Sequence, residues 1–216
     1  MIYLDTALSA IIYLAACFLL FLVGKFMYGV FHRQVQVKHE LVEKDNFAFA
    51  VAHVGYFVGL ILAISGAIVG PSEGLTIDLV DIGLYGGLAI ILLNLSVIVN
   101  DKVLFPRFSV YREITEDRNV GTGAIEGANA IGTGLIIYGA VSGEGGGVLT
   151  AVVFWLVGQL LLVITAYVYR AIVPYDVHDQ IEQDNVAVGL GFAGALISIA
   201  NLIRFGLMGD FYSWTS

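Results

Sequence analysis

Six long apolar stretches, separated by short polar connectors, dominate the pattern of the chain. The stretches are 8–31, 47–70, 82–99, 120–141, 148–173 and 186–208. A helix needs about 20 mostly apolar residues to cross the hydrocarbon core of a bilayer, so each stretch is predicted to be a transmembrane helix. Pro71, Pro106 and Pro174 all fall between the stretches, where a missing N–H breaks no membrane hydrogen bond. We therefore predict an all-α, polytopic membrane bundle.

Composition supports a membrane protein. Hydrophobic residues make up 58% of the chain and charged residues only 13%, whereas a soluble domain is roughly half apolar and a quarter charged. The six stretches occupy most of the 216 residues, which leaves no room for a soluble catalytic domain. A single cysteine, Cys17, excludes an internal disulfide.

A short polar motif recurs just before the second, fourth and sixth stretches. Each copy is a Glu, two polar residues and an Asn, and the Asn residues are separated by 73 and 66 positions. The motif residues are Glu43, Asp45, Asn46, Glu116, Asp117, Asn119, Glu182, Asp184 and Asn185. We predict three two-helix repeats, 1–72, 73–144 and 145–216, arranged in the same orientation about an axis along the membrane normal.

The motif has two interpretations. In the first, the motif only caps the return helix, because Asn or Asp suits the position before a helix and acidic side chains suit its N-terminal dipole. The alternative is that three acidic clusters at one depth form a cation-collecting ring at a pore mouth. Both interpretations can hold together.

The tandem two-helix modules resemble the bacterial inner-membrane family known as domain of unknown function 350. The resemblance is carried by the Glu-x-x-Asn entry and by runs such as 46–56, and it extends over nearly the whole chain. The middle copy departs from the Glu-x-Asp-Asn pattern at Arg118. The resemblance implies a multi-pass protein of the bacterial inner membrane, and it brings no established activity.

Lys and Arg predict the orientation, because they concentrate in cytoplasmic loops. The three connectors that carry the motif are basic, whereas 71–81 and 142–147 contain no Lys or Arg. The basic residues are Arg33, Lys38, Lys44, Lys102, Arg107, Arg112, Arg118 and Arg170. We predict that the motif faces the cytoplasm and that both termini lie outside. The acidic outer face is expected to repel nucleic acid.

Small residues line the return helices at a spacing of four. They are Gly55, Gly59, Ala63 and Ala67, then Ala124, Ala128 and Gly132, and then Ala187, Gly191 and Ala195. Such stripes let membrane helices approach closely, so we predict packing interfaces, either within the chain or between subunits. A homo-oligomer is expected.

The fourth apolar stretch is unusually polar. Thr122, Glu126, Asn129 and Thr133 follow one another at helical spacing, which predicts a continuous polar face. His53 occupies the position in the first copy that Glu126 occupies in the second, about 10 Å inside the motif end of the helix. Polar groups at this depth cannot face lipid cheaply. They predict either an ion or proton path or a buried pair that locks the bundle.

Other site chemistry is absent from the sequence. We find no phosphate-binding glycine loop, no paired His or Cys spacing for a metal and no nucleophile elbow, so no enzyme and no cofactor are expected.

The leading hypothesis is an oligomeric channel or transporter for small ions or cationic solutes. The alternative is a membrane scaffold that anchors a cytoplasmic stress or envelope partner through connectors 32–46, 105–119 and 174–185. A lipid or quinone binder is a third possibility.

Overall fold

The computed structural model describes residues 2–104, 106–107 and 109–214, with side chains from residue 7 onward. The described part is helical. Eight α-helices and one π-helical turn follow one another along it: α1 Ile2–Phe31, the π-helical turn His39–Glu43, α2 Phe47–Ser65, α3 Leu75–Leu104, α4 Val110–Thr115, α5 Val120–Val141, α6 Val148–Ile172, α7 Val177–Glu182 and α8 Val186–Leu207.

Six of these helices, α1, α2, α3, α5, α6 and α8, are long and apolar enough to cross a membrane. The prediction of six apolar spans is therefore confirmed. The third span is longer than the apolar stretch 82–99, because helix α3 extends over Leu75–Leu104. Asp78, Asp81 and Lys102 thus lie on a helix rather than in connectors. Apolar residues mark only the part of a helix that lies in the hydrocarbon core, and helical hydrogen bonding continues beyond that part.

The three motif segments share one local geometry. Each contains a short helical turn, namely His39–Glu43, α4 or α7, and then a residue with positive φ. These residues are Asp45, Arg118 and Asp184, with φ of 49°, 55° and 59°. The left-handed conformation reverses the chain direction directly before the Asn that begins the next long helix. Asp tolerates this conformation better than most residues, whereas Arg118 is an unusual occupant.

Each motif Asn caps a long helix with its side-chain oxygen. Asn46 accepts a hydrogen bond from the Phe49 N–H at 3.1 Å, and Asn119 accepts one from the Thr122 N–H at 2.9 Å. Asn185 does the same for α8, which begins one residue later. An Asn cap satisfies an N–H group that has no partner within the helix.

The side-chain amides of the first two Asn residues also connect neighbouring segments. Asn46 donates to the carbonyl of Ile114 at 2.8 Å, and Asn119 donates to the carbonyl of Ile181 at 2.5 Å. Both Asn side chains are almost fully buried. One residue type therefore begins each helix and also holds it beside the next segment. For this chain the end of the bundle that carries these segments is called the motif end.

Helix α5 is the central element of the bundle. It packs between α2 and α8, and it also contacts α3 and α6. In its most apolar window of 18 residues 78% are buried, against 44% for α2, 28% for α8 and 6% for α1. Side chains on α5 are therefore shielded from lipid on nearly every side.

Glycine allows this close packing. A Cβ atom at Gly55 of α2 would lie 2.2 Å from the Cα of Gly127 on α5, and one at Gly59 would lie 2.2 Å from the carbonyl oxygen of Ala130. On the other side of α5, a Cβ at Gly189 of α8 would lie 2.4 Å from the Cα of Gly121. Backbones at this separation gain dispersion contacts that lipid tails do not replace.

Replacing Gly55 with Ala is expected to push α2 away from α5. We predict a loss of roughly 1–3 kcal/mol in the free energy of unfolding, because the new methyl group meets backbone atoms that cannot move alone. Gly83→Ala is the matched control, since a Cβ at Gly83 has nothing within 4 Å. Thermal unfolding in detergent measures both variants, and equal stability of the two would contradict this packing account.

Candidate functional site

The polar residues of α5 form a buried strip along the helix. Thr122 and Thr133 are fully buried, and Asn129 is 1% exposed. Glu126 lies between them and is partly buried. Helices α2 and α8 cover two sides of α5, and Glu126 and Asn129 of the strip meet Asp101 and Asn100 of α3.

A cluster of amides joins three helices in the middle of the strip. Asn100 of α3 donates from its amide nitrogen to Oδ1 of Asn129 at 2.8 Å and to Oε1 of Gln159 on α6 at 3.0 Å. All three side chains are buried. Buried amides bonded across helices hold the helices in one relative position.

Two carboxyl groups meet next to this cluster, on the side of the motif end. Asp101 of α3 and Glu126 of α5 interact directly, and Glu126 also interacts with Asn129. Oδ1 of Asp101 and Oε2 of Glu126 are both buried and have no hydrogen-bond partner. Buried polar atoms are paired in the great majority of cases, so these two acid oxygens, together with the unpaired amide nitrogens of Asn129 and Gln159, indicate a place for a further polar or charged species.

His53 lies beside this site rather than in it. Its ring is 5.0 Å from the ring of Tyr28 on α1, and Tyr28 in turn interacts electrostatically with Glu126. Nδ1 of His53 is buried without a partner. The sequence placed His53 and Glu126 at one level, and the structure shows the ring of Tyr28 in contact with the ring of His53.

An apolar layer closes the strip on the side away from the motif end. Ile136 and Ile137 of α5 are fully buried in hydrophobic clusters. Beyond them a cavity of about 480 Å³ opens at the opposite end of the bundle, with Asp81, Tyr85 and Ala140 in its lining. Thr133 and Ala140 are seven residues apart, or about 10 Å along the helix. The polar strip and the cavity are therefore separate in this conformation.

Sequence reasoning missed Asp101, Asn100 and Tyr28. Asn100 and Asp101 lie just beyond the apolar stretch 82–99 and were assigned to a connector. A helix continued by one turn would have placed both on a surface that can reach α5. Tyr28 has no sequence signal, since a Tyr near a helix end usually indicates a membrane interface.

The motif acids lie at the surface of the motif end. Glu43 pairs with His39 at 2.7 Å, and Glu116 pairs with Arg112 at 3.2 Å. Glu182, Asp184 and Asp117 are exposed. The described structure thus has several of the acids neutralised by neighbours, and the pore-mouth ring stays a prediction.

Two other acids contact the motif Asn residues. Glu40 accepts a hydrogen bond from the amide of Asn46 at 2.9 Å, and Glu113 accepts one from the amide of Asn119 at 3.1 Å. Burial opposes ionisation of Glu40, but hydrogen bonds from Lys44 and Asn46 lower the pKa of its carboxyl group. Burial, with the nearby charge of Asp117, raises the pKa of Glu113. Glu40 and Glu113, each six residues before its motif Asn, therefore have carboxyl pKa values shifted in opposite directions.

Substituting Gln at these two positions should have opposite effects at neutral pH. Glu40→Gln removes the charge that binds Lys44 and is expected to cost about 1–2 kcal/mol of unfolding free energy. Glu113→Gln removes an unfavourable charge and is expected to gain a few tenths of a kcal/mol, roughly the scale of exposed charge pairs.

Both differences should fade on acidification. The stabilisation by Glu40 is present above its unfolded pKa and is lost as pH falls through its lowered folded pKa. The penalty at Glu113 disappears as pH falls through its raised folded pKa towards the unfolded value of about 4. Unfolding in detergent at neutral pH and near pH 4 follows the loss of the Glu113 difference, whereas the Glu40 difference should persist near pH 4 and be lost only at lower pH. Effects of the same sign at neutral pH would contradict the assignment.

The amide cluster makes its own contribution to stability. Asn100→Ala removes both donated bonds and leaves the oxygens of Asn129 and Gln159 unpaired, so we expect a loss of roughly 1–2 kcal/mol. Ser198→Ala is the control, because Ser198 donates only to the carbonyl of Gly194 on its own helix. Chemical unfolding in mixed micelles compares the unfolding free energies of the two variants. An equal loss of free energy in both would show that the cluster does not stabilise the contact between the helices.

Among the described residues, no group of three or more His, Cys, Asp or Glu is placed to hold a metal ion. The site is therefore a pair of acids with neighbouring amides and hydroxyl groups, which suits a proton or a small, weakly held cation better than a tightly bound metal.

Comparison with known proteins identifies relatives without a described activity. The family model described as Domain of Unknown Function (DUF350) matches residues 1–141 and 145–216. A UPF0719 transmembrane protein of Aquifex aeolicus (strain VF5) is 22% identical over 213 residues, which cover 95% of this chain and 77% of that protein. No solved structure is a significant match.

Proposed function

We propose that this chain, which belongs to the DUF350 family, is a channel-like or transporter-like membrane protein for protons or small cations. Asp101 and Glu126 form its ion-binding site in this proposal. The observation that carries it is the meeting of these two carboxyl groups inside a membrane-spanning bundle, each with a buried oxygen that has no partner.

The surroundings of the acid pair support an exchangeable occupant. The hydroxyl oxygens of Thr122 and Thr133 are also buried and unpartnered, one turn from Glu126 and two turns from it respectively. They lie on the same face of α5 as the acid. A helix that served only to hold the bundle together would be expected to bond these groups to its neighbours.

The acid pair could act in a simple way. Two carboxylates close together in a region of low dielectric repel each other, and a proton or a cation between them removes that repulsion. The same two oxygens can release their occupant when water or a changed helix position offers an alternative. Asn129, which interacts with Glu126, would adjust to either state, because an amide can both donate and accept.

Passage across the bilayer requires the apolar layer at Ile136 and Ile137 to open. The cavity beyond this layer is lined by Asp81 and Glu144 among other residues, and it would receive cations at the opposite end. Ile125, Ile136 and Ile137 of α5 are fully buried in hydrophobic clusters, so opening this layer requires α5 to shift against its neighbours. We therefore propose alternating opening of the two ends rather than a permanent pore.

Substitution of the acid pair tests this function. Purified protein in liposomes should carry protons, Na⁺ or K⁺, and Glu126→Gln or Asp101→Asn should reduce this flux at least about tenfold, equivalent to about 1.4 kcal/mol. Asp179→Asn is the control, because Asp179 is an exposed acid outside the motif and pairs with Arg107 at 3.2 Å. Wild-type protein that is silent toward protons and every small cation would overturn the proposal, as would full flux in both variants.

A further inference from the structure

One face of α8 has no partner in the described chain. Ala187, Gly191, Gly194, Ser198, Leu202 and Phe205 follow one another along it at helical spacing, and all six are exposed. A Cβ at Gly194 would have nothing within 4 Å, and one at Gly191 would meet only the hydroxyl oxygen of Tyr169 at 3.4 Å. Of the small-residue stripe that the sequence predicts as a packing interface on this helix, Ala187 and Gly191 are thus uncovered, whereas Ala195 is half-buried.

The same face is covered on the other two return helices. Counted from the motif Asn, α2 contacts α5 through positions 2, 9 and 13, which are Ala48, Gly55 and Gly59. Helix α5 contacts α8 through its own positions 2 and 13, Gly121 and Gly132. The corresponding positions of α8 are Ala187, Gly194 and Ser198.

The receiving faces also correspond. On α5, positions 4, 8 and 15 from the Asn touch α2, and on α8, positions 4 and 15 touch α5. The matching residues of α2 are Ala50, Val54 and Ile61, and both Val54 and Ile61 are exposed. Two contact faces are therefore uncovered within the chain. One is the face of α8 at positions 2, 9 and 13 from its Asn, and the other is the face of α2 at positions 4, 8 and 15 from its Asn.

We propose that a second copy of this chain packs its α2 against α8 in the register of the two contacts within the chain. The backbones lie farther apart than in those contacts, because α2 carries Ala50, Val54 and Ile61 at the positions where α5 has Gly123, Gly127 and Gly134. Val54 of one copy then lies at Gly194 of its neighbour, where Gly127 lies at Gly55 inside the chain. The contact is heterologous, so copies add head to tail and close into a ring if the rotation permits. This inference does not depend on the proposed transport function.

Hydrogen bonding at the motif end supports this partner. Asn46 and Asn119 each donate to an acid side chain in their own segment and to a carbonyl of the next segment, at Ile114 or Ile181. Asn185 donates in the same way within its own segment, but to the amide oxygen of Gln180 at 2.8 Å. Ile114 directly follows Glu113, and Ile181 directly follows Gln180. In the first segment the corresponding residue is Leu41, which directly follows Glu40. The carbonyl of Leu41 in a second copy is the acceptor that continues the series.

Helix α1 points to the same neighbour. Only 6% of the residues in its most apolar window are buried. The corresponding helices of the other two repeats pack on the return helix of the preceding repeat, α3 on α2 and α6 on α5. In the proposed assembly α1 of one copy packs on α8 of the next in the equivalent way. Large exposed side chains such as Phe18 and Phe26 would be covered on this route.

Disulfide cross-linking in membranes tests the interface. In a Cys17→Ser background, which removes the only native thiol, one tagged copy carries Val54→Cys and a differently tagged copy carries Gly194→Cys. On oxidation we expect a mixed dimer, roughly tenfold or more abundant than the dimers of either single variant expressed alone, because proximity raises the effective concentration of the thiols.

The single variants separate this assembly from a two-fold dimer. A two-fold axis through α8 would cross-link Gly194→Cys to itself, and one through α2 would cross-link Val54→Cys to itself. Strong self-linking of this kind, or no mixed dimer above the level of a Leu160→Cys and Val54→Cys pair on lipid-exposed α6 and α2, would overturn the proposal.

A blocking variant provides the second measurement. Ser198→Phe, introduced into the copy that carries Gly194→Cys, should keep the unfolding temperature of the isolated chain, since Ser198 is exposed, and should abolish the mixed dimer with Val54→Cys. Asn185→Asp, which removes the amide donor, should weaken cross-linking several-fold. Unchanged cross-linking in both variants would show that the copies meet elsewhere.

Discussion

Close contact between the backbones of α2, α5 and α8 is the interaction on which the rest of this structure depends. Between helices in a bilayer there is little hydrophobic driving force, so association relies on close packing and on hydrogen bonds between helices. Glycine at Gly55, Gly127, Gly121 and Gly189 lets the helix axes approach until backbone atoms touch. The central helix, α5, is thereby removed from lipid, and only a helix in that position can carry four polar residues across the membrane.

The polar strip of α5 follows from that position. Burying these polar side chains costs less free energy because the neighbouring helices present polar groups to them. These groups belong to Asn100 and Asp101 of α3 and Gln159 of α6. The oxygens of Asn129 and Gln159 bind Asn100, whereas their amide nitrogens and one oxygen of each acid have no partner. Apolar residues of the same size would stabilise the bundle equally well, because replacing a buried ion pair with well-packed apolar side chains is often neutral or stabilising. The retained acids are therefore better explained by an occupant than by architecture.

Most of the fold could be predicted from the sequence, because bilayer thickness converts apolar length directly into helices. The motif Asn residues were also informative, since a cap needs only local geometry. The site was predicted in part: Glu126, Asn129, Thr122 and Thr133 follow from helical spacing alone. Asp101 was missed because the length of α3 beyond its apolar part leaves no hydropathy signal. The role of Tyr28 depends on how α1 meets α2, which no periodicity encodes.

The central claim is that Asp101 and Glu126 together bind a proton or a small cation within the membrane. Infrared difference spectroscopy of the protein in bilayers, recorded on changing pH or adding Na⁺ or K⁺, observes carboxyl groups directly. The account predicts a carboxyl band that responds to the ion and is lost in both Glu126→Gln and Asp101→Asn. A response that is the same in the wild type and in both variants would contradict it.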